Sequence, residues 1–538
     1  MNYRLVFRSL SFVAFLTGGF MLFSLPWAFP GTGPATEIET SGLLSLVYSM
    51  AICIGVGIAL RWLGRSDKPL PMFRKEAMAV VGLSWVMVTL LGGLPYLFNA
   101  TPREPGQAMT FADAMFESQS GFSTTGATVI TDFEQVDACI LFWRSSTHFL
   151  GGLGIIVLFV AILGHGSAGK ALMRAEMPGP SKDGSTARMQ HTAWRFAAMY
   201  VGLNVVLAII LVFCKLSLFD ALCHAFGTMA TGGFSTYNES LGYFALHPEI
   251  YAAAWIEMVV LFFMLLAGTN FTLLLFLLMR KFHRAWADVE LRSYIGILVL
   301  ATILIMIAGH FHGDFGEPNA PWGEKLWQSF RYSSFQVASI VTTTGYGTHD
   351  FDGWNNFGRG LLFLLMFIGG CAGSTGGGLK VIRHVLFLKI LRLELEQAYH
   401  PSVVRPLRVG GEPVDDPKLR KNILVYFSIA LFLMVTCWLL MIAVEPDSTW
   451  QTDAGAAESA EEEVSAIQLQ NKLIDSASAI AATLNNIGPG LGAIGATQNY
   501  ARFTWWTKLL IFTPLMMLGR LEFFPIIVLV LPRFWRAR

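Results

Sequence analysis

Four stretches of the sequence place glycine where main-chain carbonyl chemistry would need it. They read FADAMFESQSGFSTTGATVITDF from Phe111, LFDALCHAFGTMATGGFSTYN from Leu218, LWQSFRYSSFQVASIVTTTGYGTHDF from Leu326 and KLIDSASAIAATLNNIGPGLGAIG from Lys472. Each is a short helix-like stretch running into a glycine-bearing turn. An ordinary strand points successive carbonyls to opposite sides. Aiming them all at one axis needs positive φ at some residues, which glycine adopts without a Cβ penalty. Missing side chains also let four strands approach closely, and nearby Thr and Ser hydroxyls add ligands for a hard cation. This reading makes Thr124, Thr125, Gly126, Thr231, Gly232, Thr344, Gly345, Asn486, Ile487 and Gly488 an ion-binding filter. Gly126, Gly232, Gly345 and Gly488 are aligned at a shared third position.

The third stretch contains Thr343-Thr344-Gly345-Tyr346-Gly347. It nearly matches the TVGYG loop of potassium channels, whose carbonyls replace the hydration shell of the ion. The bound ion is therefore read as potassium, held at Thr125, Gly126, Thr231, Gly232, Thr344, Gly345, Ile487 and Gly488. Ala127 and Pro489 stand where the third stretch has its Tyr, so the expectation is one good ring of oxygens, at the four glycines, and weaker exclusion of sodium than a fully matched filter gives. Asp113, Asp220 and Asp475 sit near the starts of three helix-like stretches, where a carboxylate caps a helix and suits its positive end. The third lacks an equivalent Asp, leaving Gln328 or Ser329 as the cap. The opposite, negative ends then face the filter and favour a cation.

Such a filter needs a membrane around it, and composition supplies one. The chain is 54% hydrophobic and 14% charged, whereas soluble domains carry about a quarter charged residues. The apolar residues come in blocks of about 18–25, enough to cross ~30 Å of hydrocarbon as helices. About ten such blocks lie near 9–29, 42–62, 76–98, 146–164, 196–214, 253–279, 293–311, 358–391, 422–444 and 507–532. The first follows Arg4 and Arg8, and its length and lack of a small-residue cleavage site mark a retained helix. Basic connections (RWLGRSDKPLPMFRK, 165–195, RKFHRAWADVELR, 380–421 and the tail RFWRAR) fall on one side if the blocks alternate, which makes that side cytoplasmic and both termini internal. The acidic run Glu461–Glu463 lies in an outer loop. Net charge is +1, which gives no pull toward nucleic acid. The six cysteines are scattered, mostly in apolar blocks and without a CxxC pair, and read as buried hydrophobes.

The predicted fold is an all-α integral membrane protein of about ten transmembrane helices. An extra N-terminal helix pair (1–68) precedes four pseudo-fourfold span–pore-loop–span repeats at 69–168, 190–285, 290–395 and 418–538. Segments too short to cross are tolerated at membrane depth only where they line a wet cavity or are buried in protein. Four of them therefore point to a pore.

Two further features suit a gate. The eighth block is interrupted by GGCAGSTGGGLK, with Gly369, Gly370, Gly373, Gly376, Gly377, Gly378 and Lys380. Each glycine weakens a helix by about 1 kcal/mol relative to alanine, so the run reads as a flexible loop beneath the filter. A packing surface of small residues is the other reading. A phosphate loop is not, because Leu379 intervenes and no Ser or Thr follows Lys380. Arg520 lies inside the last block, where a charge must face protein or water. It either projects into the conduction path or pairs structurally, with Glu522 or with carbonyls freed by Pro525. Glu117, Asp132 and Asp350 are candidates for attracting cations at the outer mouth or for ordinary caps, and His310, His312 and Asp314 read as a solvated loop.

In combination, STTGAT, ATGGFSTYN, TTTGYGT and NNIGPG resemble the Trk/Ktr/HKT superfamily of potassium transporters, and within it the bacterial TrkH type, over nearly the whole chain. The resemblance implies a homodimer in the bacterial inner membrane, one pore per subunit passing potassium and rubidium, and a cytoplasmic TrkA-type nucleotide-binding regulatory partner. It implies that the glycine loop and Arg520 gate the pore. In plant relatives a serine at the first-repeat glycine goes with sodium passage, and Gly126 fits the potassium type. No cofactor is implied beyond potassium in the filter. The competing function is a proton- or sodium-coupled secondary cation transporter, a symport; no zincin, P-loop or nucleophile elbow suggests an enzyme.

Overall fold

A computed structural model of the chain describes residues 1–66, 73–154, 186–316, 320–401, 407–409, 412–414, 417–450, 461–521 and 523–536. The N-terminal helices α1 (Tyr3–Met21) and α2 (Thr40–Leu63) pack along each other and, through α1, on α3 (Arg74–Gly92). From α3 onward one order recurs. A long helix is followed by a buried pore helix, an extended segment and a second helix. The first set is α3, the pore helix α4 (Phe111–Phe122) and α5 (Ala138–Leu153). The second is α6 (Thr186–Phe213), α7 (Leu218–Met229) and the bent pair α8 (Ala253–Ala267) and α9 (Phe271–Leu278). The third is α10 (Val289–His312), α11 (Trp322–Val341), α12 (Asn356–Leu365) and α13 (Val381–Tyr399). The fourth is α14 (Pro417–Val444), α15 (Glu461–Leu484), α16 (Thr513–Leu521) and α17 (Phe524–Val530).

Six helices among the described residues are long and apolar enough to cross a membrane uninterrupted. The sequence suggests about ten spans because run length does not register breaks, and the second helices of the second, third and fourth sets are interrupted. The helix α5 ends at Gly154, whose φ is +63°, and the remainder of the expected 146–164 block lies outside the described residues. A bend of 109° separates α8 from α9. The glycine loop separates α12 from α13, and Phe523, at φ +63°, separates α16 from α17. Four of the long helices, α2, α6, α10 and α14, turn most of their surface outward, whereas 67% of the apolar stretch of α3 is buried. Only 11% of the most apolar stretch of α14 is buried, and Leu431, Phe432 and Leu439 on it are exposed. Apolar helices with their backbone bonds closed internally and side chains turned outward are what hydrocarbon solvates. The chain is a multi-pass, all-helical membrane protein.

The two termini meet on one face, where Tyr3 Oη donates to the Trp535 carbonyl at 2.9 Å. On the opposite face Glu39 ties the N-terminal pair to the first set. Its carboxylate accepts from the N–H groups of Ala138 (2.8 Å) and Cys139 (3.1 Å) at the start of α5, satisfying two donors that a helix start leaves without partners.

The pore helices are capped differently from the sequence expectation. In α4 the cap is Thr110, and Asp113 closes the reciprocal capping box three residues later. In α7 the cap is Ser217, whose hydroxyl accepts from the Asp220 N–H (3.0 Å) and donates to the Asp220 carboxylate (2.7 Å). The helix α11 begins earlier than expected, at Trp322, with Pro321 in the cap position; Ser329 instead bonds back to the Lys325 carbonyl and Gln328 to Glu324. Asp475 is not a cap, because α15 begins at Glu461; its carboxylate accepts from the Ala493 N–H at 3.1 Å.

Candidate functional site

All four pore helices end in one motif. The N–H of Thr125 reaches back to the Ser120 carbonyl and that of Thr124 to Gly121. The same pair of bonds is made by Gly232 to Gly227 and Thr231 to Thr228, by Thr344 to Ser339 and Thr343 to Ile340, and by Ile487 to Ala482 and Asn486 to Thr483. This is the Schellman termination, which puts one residue in the left-handed region. Here those residues are Thr124 (φ 54°), Thr231 (54°), Thr343 (59°) and Asn486 (55°). A β-branched residue held there costs about 1–2 kcal/mol. Two residues later φ is positive again, at Gly126 (80°), Gly233 (77°), Gly345 (80°) and Gly488 (98°). The ordinary alternation of carbonyls is thus broken at the same two places in every strand.

The strands close into a ring. A Cβ on Gly126 would lie 2.1 Å from the Gly232 carbonyl oxygen, and one on Gly233 would lie 2.0 Å from that of Thr344. One on Gly345 would lie 2.0 Å from the Ile487 oxygen, and one on Gly488 would lie 2.6 Å from that of Thr125, which returns to the first strand. Each repeat thus presents its glycine to a main-chain oxygen of the next. Among the described residues no protein donor reaches the carbonyls of Thr125, Thr344 or Ile487, although the segment is buried. Buried carbonyls normally find a partner, so oxygens left open around one axis suit a dehydrated cation.

This geometry corrects the alignment of the second repeat. Gly233, not Gly232, is equivalent to Gly126, Gly345 and Gly488. Gly232 stands level with Thr125, Thr344 and Ile487, and Thr231 with Thr124, Thr343 and Asn486. The adjacent glycines of ATGGFS permit either register by residue type, and φ with the pore-helix bonds decides between them. Gly233 and Thr343 were not in the sequence-derived set. Aligning Phe234 with Tyr346 would have found both. The close ring of oxygens is also one residue earlier than expected. At the glycine level the Gly488 carbonyl already accepts from Tyr500 Oη at 2.8 Å.

Different side chains hold each strand from behind. Glu117 is fully buried rather than at the mouth. It accepts from the Val129 N–H (2.9 Å) and Thr128 Oγ1 (3.0 Å) of strand one and from Arg144 Nε (2.6 Å). Arg144 donates onward to the Ser235 carbonyl (3.0 Å) of strand two and lies 3.4 Å over the Phe234 ring. His148, one turn later on α5, stacks on the other face of that ring, with centroids 4.0 Å apart. Its Nε2 accepts from the Phe234 N–H (3.2 Å), so Nδ1 carries the proton and donates to the Gly121 carbonyl (2.8 Å). Tyr346 Oη donates to the His224 and Phe234 carbonyls, both at 3.3 Å. Two further buried ion pairs join second helices to the next pore helix: Glu257 with Arg331 (2.5 Å) and Lys508 with Asp113 (2.6 Å). Lys508 sits in a π-helical turn, Thr507–Phe512, that opens the last helix. Of the other outer-mouth candidates, Asp132 and Asp350 each accept from an N–H two residues on, in local turns. Asp314 accepts from Asn355 (3.1 Å from the main-chain N), and no cluster of three metal-ligating side chains occurs among the described residues.

Directly beneath lie the glycine loop and Arg520. The Gly377 N–H donates to Thr343 Oγ1 at 2.8 Å, and a Cβ on Gly377 would meet Asn486 at 2.6 Å. Thr375 donates from its N–H (3.2 Å) and hydroxyl (3.1 Å) to the Ala267 carbonyl at the α8–α9 bend. Lys380 Nζ donates to the Gly376 carbonyl. Gly369 and Gly370 form the neck of the loop: the Gly369 N–H donates to Leu379 (2.8 Å), and the Gly370 carbonyl accepts from Val381 (3.2 Å). The Gly373 carbonyl accepts from Phe271 (3.0 Å), and Gly378 adopts φ +64° against Asn485. Arg520 donates to the carbonyls of Thr375 (2.5 Å) and Gly151 (2.7 Å), linking the loop to the end of α5. Glu522 lies outside the described residues. Arg520 and the loop from Gly373 to Gly378 line a cavity of about 130 Å³.

Two outcomes follow. Gly233→Ala and Gly345→Ser each add a side chain against a neighbouring carbonyl at positive φ. Both should lower rubidium flux into liposomes and the rubidium-to-sodium flux ratio, with Gly233→Ala behaving as the filter-glycine class does. Arg144→Met leaves Glu117 buried without its cation and should cost about 3–5 kcal/mol of stability. Thermal inactivation in detergent should show that loss, and adding Glu117→Gln should recover part of it.

Comparison with known proteins agrees with this architecture. A family model described as "TrkH: Cation transport protein" matches residues 45–315 and 319–451. The Trk system potassium uptake protein TrkH of Salmonella typhimurium is 33% identical over 508 residues, covering 92% of this chain and 95% of its own. The protein of that name from Vibrio parahaemolyticus is 35% identical over 474 residues, 86% of each chain. The crystal structure of the potassium transporter TrkH from Vibrio parahaemolyticus superposes with a TM-score of 0.78 at 29% identity and full coverage of both chains. The fourth pore segment lies beyond the family match but within the full-length structural one. A match over most of the chain, together with relatives at one-third identity, places the chain in the TrkH family of cation transport proteins.

Proposed function

We propose that this chain carries potassium, and rubidium with it, into the cell through one four-repeat pore per subunit. The observation that bears the most weight is the closed ring of glycines and carbonyl oxygens, in which Thr125, Gly232, Thr344 and Ile487 present main-chain oxygens around one axis. Such oxygens replace water around an unhydrated potassium ion. Relatives over nearly the whole length are named potassium uptake proteins, and the TTGYG strand supports the same ion. Below the ring, the buried Thr124 Oγ1 and Asn486 Oδ1, which have no hydrogen-bond partner among the described residues, are the side-chain oxygens left to add further ligands. Departures from TVGYG in three strands favour modest discrimination against sodium.

The repeats of this pore run 69–168, 190–285, 290–395 and 418–538 behind the N-terminal pair 1–68. The glycine loop is the gate, and Arg520 is its lock. Support for this comes from their place under the filter and from the guanidinium bridging two carbonyls of different repeats. The membrane is the bacterial inner membrane with both termini cytoplasmic, in keeping with the basic connections and with termini that share a face. The relatives are named as parts of a Trk system, which supports a regulatory partner of the TrkA type. The family likeness supports a homodimer.

A proton- or sodium-coupled carrier is the second reading, and the interrupted second helices favour it, since carriers bind their cargo at broken helices. Against it, the four repeats share one orientation. Rubidium uptake by purified protein in liposomes, with sodium competition and an imposed pH gradient, separates the two. A pore gives flux that follows the rubidium gradient and ignores the pH gradient; accumulation against the rubidium gradient, driven by protons or sodium, would replace it with a carrier. In the same assay Arg520→Ala should raise basal flux about tenfold or more, given ~1.5–3 kcal/mol for each charged hydrogen bond lost. Unchanged flux would remove Arg520 from the gate.

A further inference from the structure

The glycine loop is also held from the side opposite the filter, by a carboxylate that the reading above does not use. Glu290, near the start of α10, is buried. Its Oε1 accepts from two main-chain donors, the Ala372 N–H at 2.7 Å and the Ile382 N–H at 3.1 Å. These donors lie on either side of the glycines at 373–378. One oxygen therefore staples the two ends of the loop. The Ile382 donor belongs to the first turn of α13, where N–H groups have no intrahelical partner and the helix end carries partial positive charge. The cap residue of α13, Lys380, makes no side-chain cap of its own, so the cap comes from another helix.

The connection that leads into Glu290 touches the loop at its other end too. It runs from α9 through a short basic helix, Phe282–Trp286, to Asp288, which caps α10 by accepting from Leu291 at 2.9 Å. Upstream, the N–H of Phe271 at the start of α9 donates to the Gly373 carbonyl (3.0 Å), and the Gly268 carbonyl just before it accepts from Cys371 (2.8 Å). Connection 279–288 is thus joined to the loop through α9 on one side and Glu290 on the other.

We infer that Glu290 is the positioning residue that keeps the glycine loop in place under the filter. This rests on reading the loop as the gate. Removing the carboxylate frees two donors and opens the neck while leaving the filter strands untouched.

The test uses full-length protein in liposomes, with rubidium and sodium flux as readouts. Glu290→Ala should raise basal rubidium flux about tenfold, the change that ~1.4 kcal/mol produces, with the rubidium-to-sodium ratio unchanged. Glu290→Gln keeps an acceptor oxygen and should recover most of the restraint. Glu290→Asp withdraws the oxygen by one methylene, keeps the charge, and serves where the Ala variant does not accumulate; it too should raise flux. Wild-type flux in folded Glu290→Ala or Glu290→Asp overturns the assignment, as does a rise accompanied by lost ion discrimination, which marks general loosening. Deletion of Gly376–Gly378 separates the two levels. If the deletion raises flux and the Glu290 variants do not, the latch is wrong and the gate stands; if the deletion also leaves flux at wild type, the gate itself is wrong.

Discussion

Contact between a glycine of one strand and a carbonyl oxygen of the next, made four times in a closed circuit, governs the rest of this molecule. It requires left-handed φ at three threonines and an asparagine, absence of side chains at one level, and strands that hold still although, among the described residues, the oxygens of Thr125, Thr344 and Ile487 have no protein donor. Backbone in such a conformation persists only where the surroundings over-determine it. The four Schellman endings supply one constraint, because each fixes the first strand residues to the last turn of a buried helix. The other comes from side chains behind the strands.

Those side chains differ in each quadrant, as a single-chain pore allows. Strand one hangs from Glu117, and strand two is clamped between Arg144 and His148. Strand three is anchored through Tyr346 and strand four through Tyr500. A full cation behind a ring of open carbonyl oxygens would repel any cation bound there, and the 2.6 Å pair with Glu117 offsets the charge of Arg144. Below the ring the same need for close approach sets the glycines of the loop, and Gly519 places the last helix against the Leu484 carbonyl. Interruption of the last three second helices, at α8–α9, α12–α13 and α16–α17, follows. A continuous helix through each quadrant would leave no room for the loop that Ala267, Thr343 and Arg520 hold in place.

Much of this was legible from residue types. Apolar blocks marked the long helices, and four glycine-bearing segments between blocks marked the strands that close into a ring. The glycine run and Arg520 stood out as costly in a membrane, and the structure brings them together beside the ring of strands. The losses have physical causes. Consecutive glycines in ATGGFS hid the register of the second strand, because both satisfy the steric requirement and only the backbone bonds differ. Hydropathy sees length and not direction, so the bends at Gly268 and Phe523 were invisible. Glu117 looked like a mouth carboxylate because its cation, Arg144, lies in another helix and on an apolar stretch. Asp475 looked like a cap because the true start of α15 lies in a polar, acidic segment.

The most direct measurement of the ring is anomalous scattering from crystals grown in rubidium. A rubidium peak centred among the carbonyl oxygens of Thr125, Gly232, Thr344 and Ile487, on the axis those strands enclose, is the result this geometry requires. Rubidium absent from that level in the presence of well-ordered strands, or bound only elsewhere in the membrane region, would contradict it.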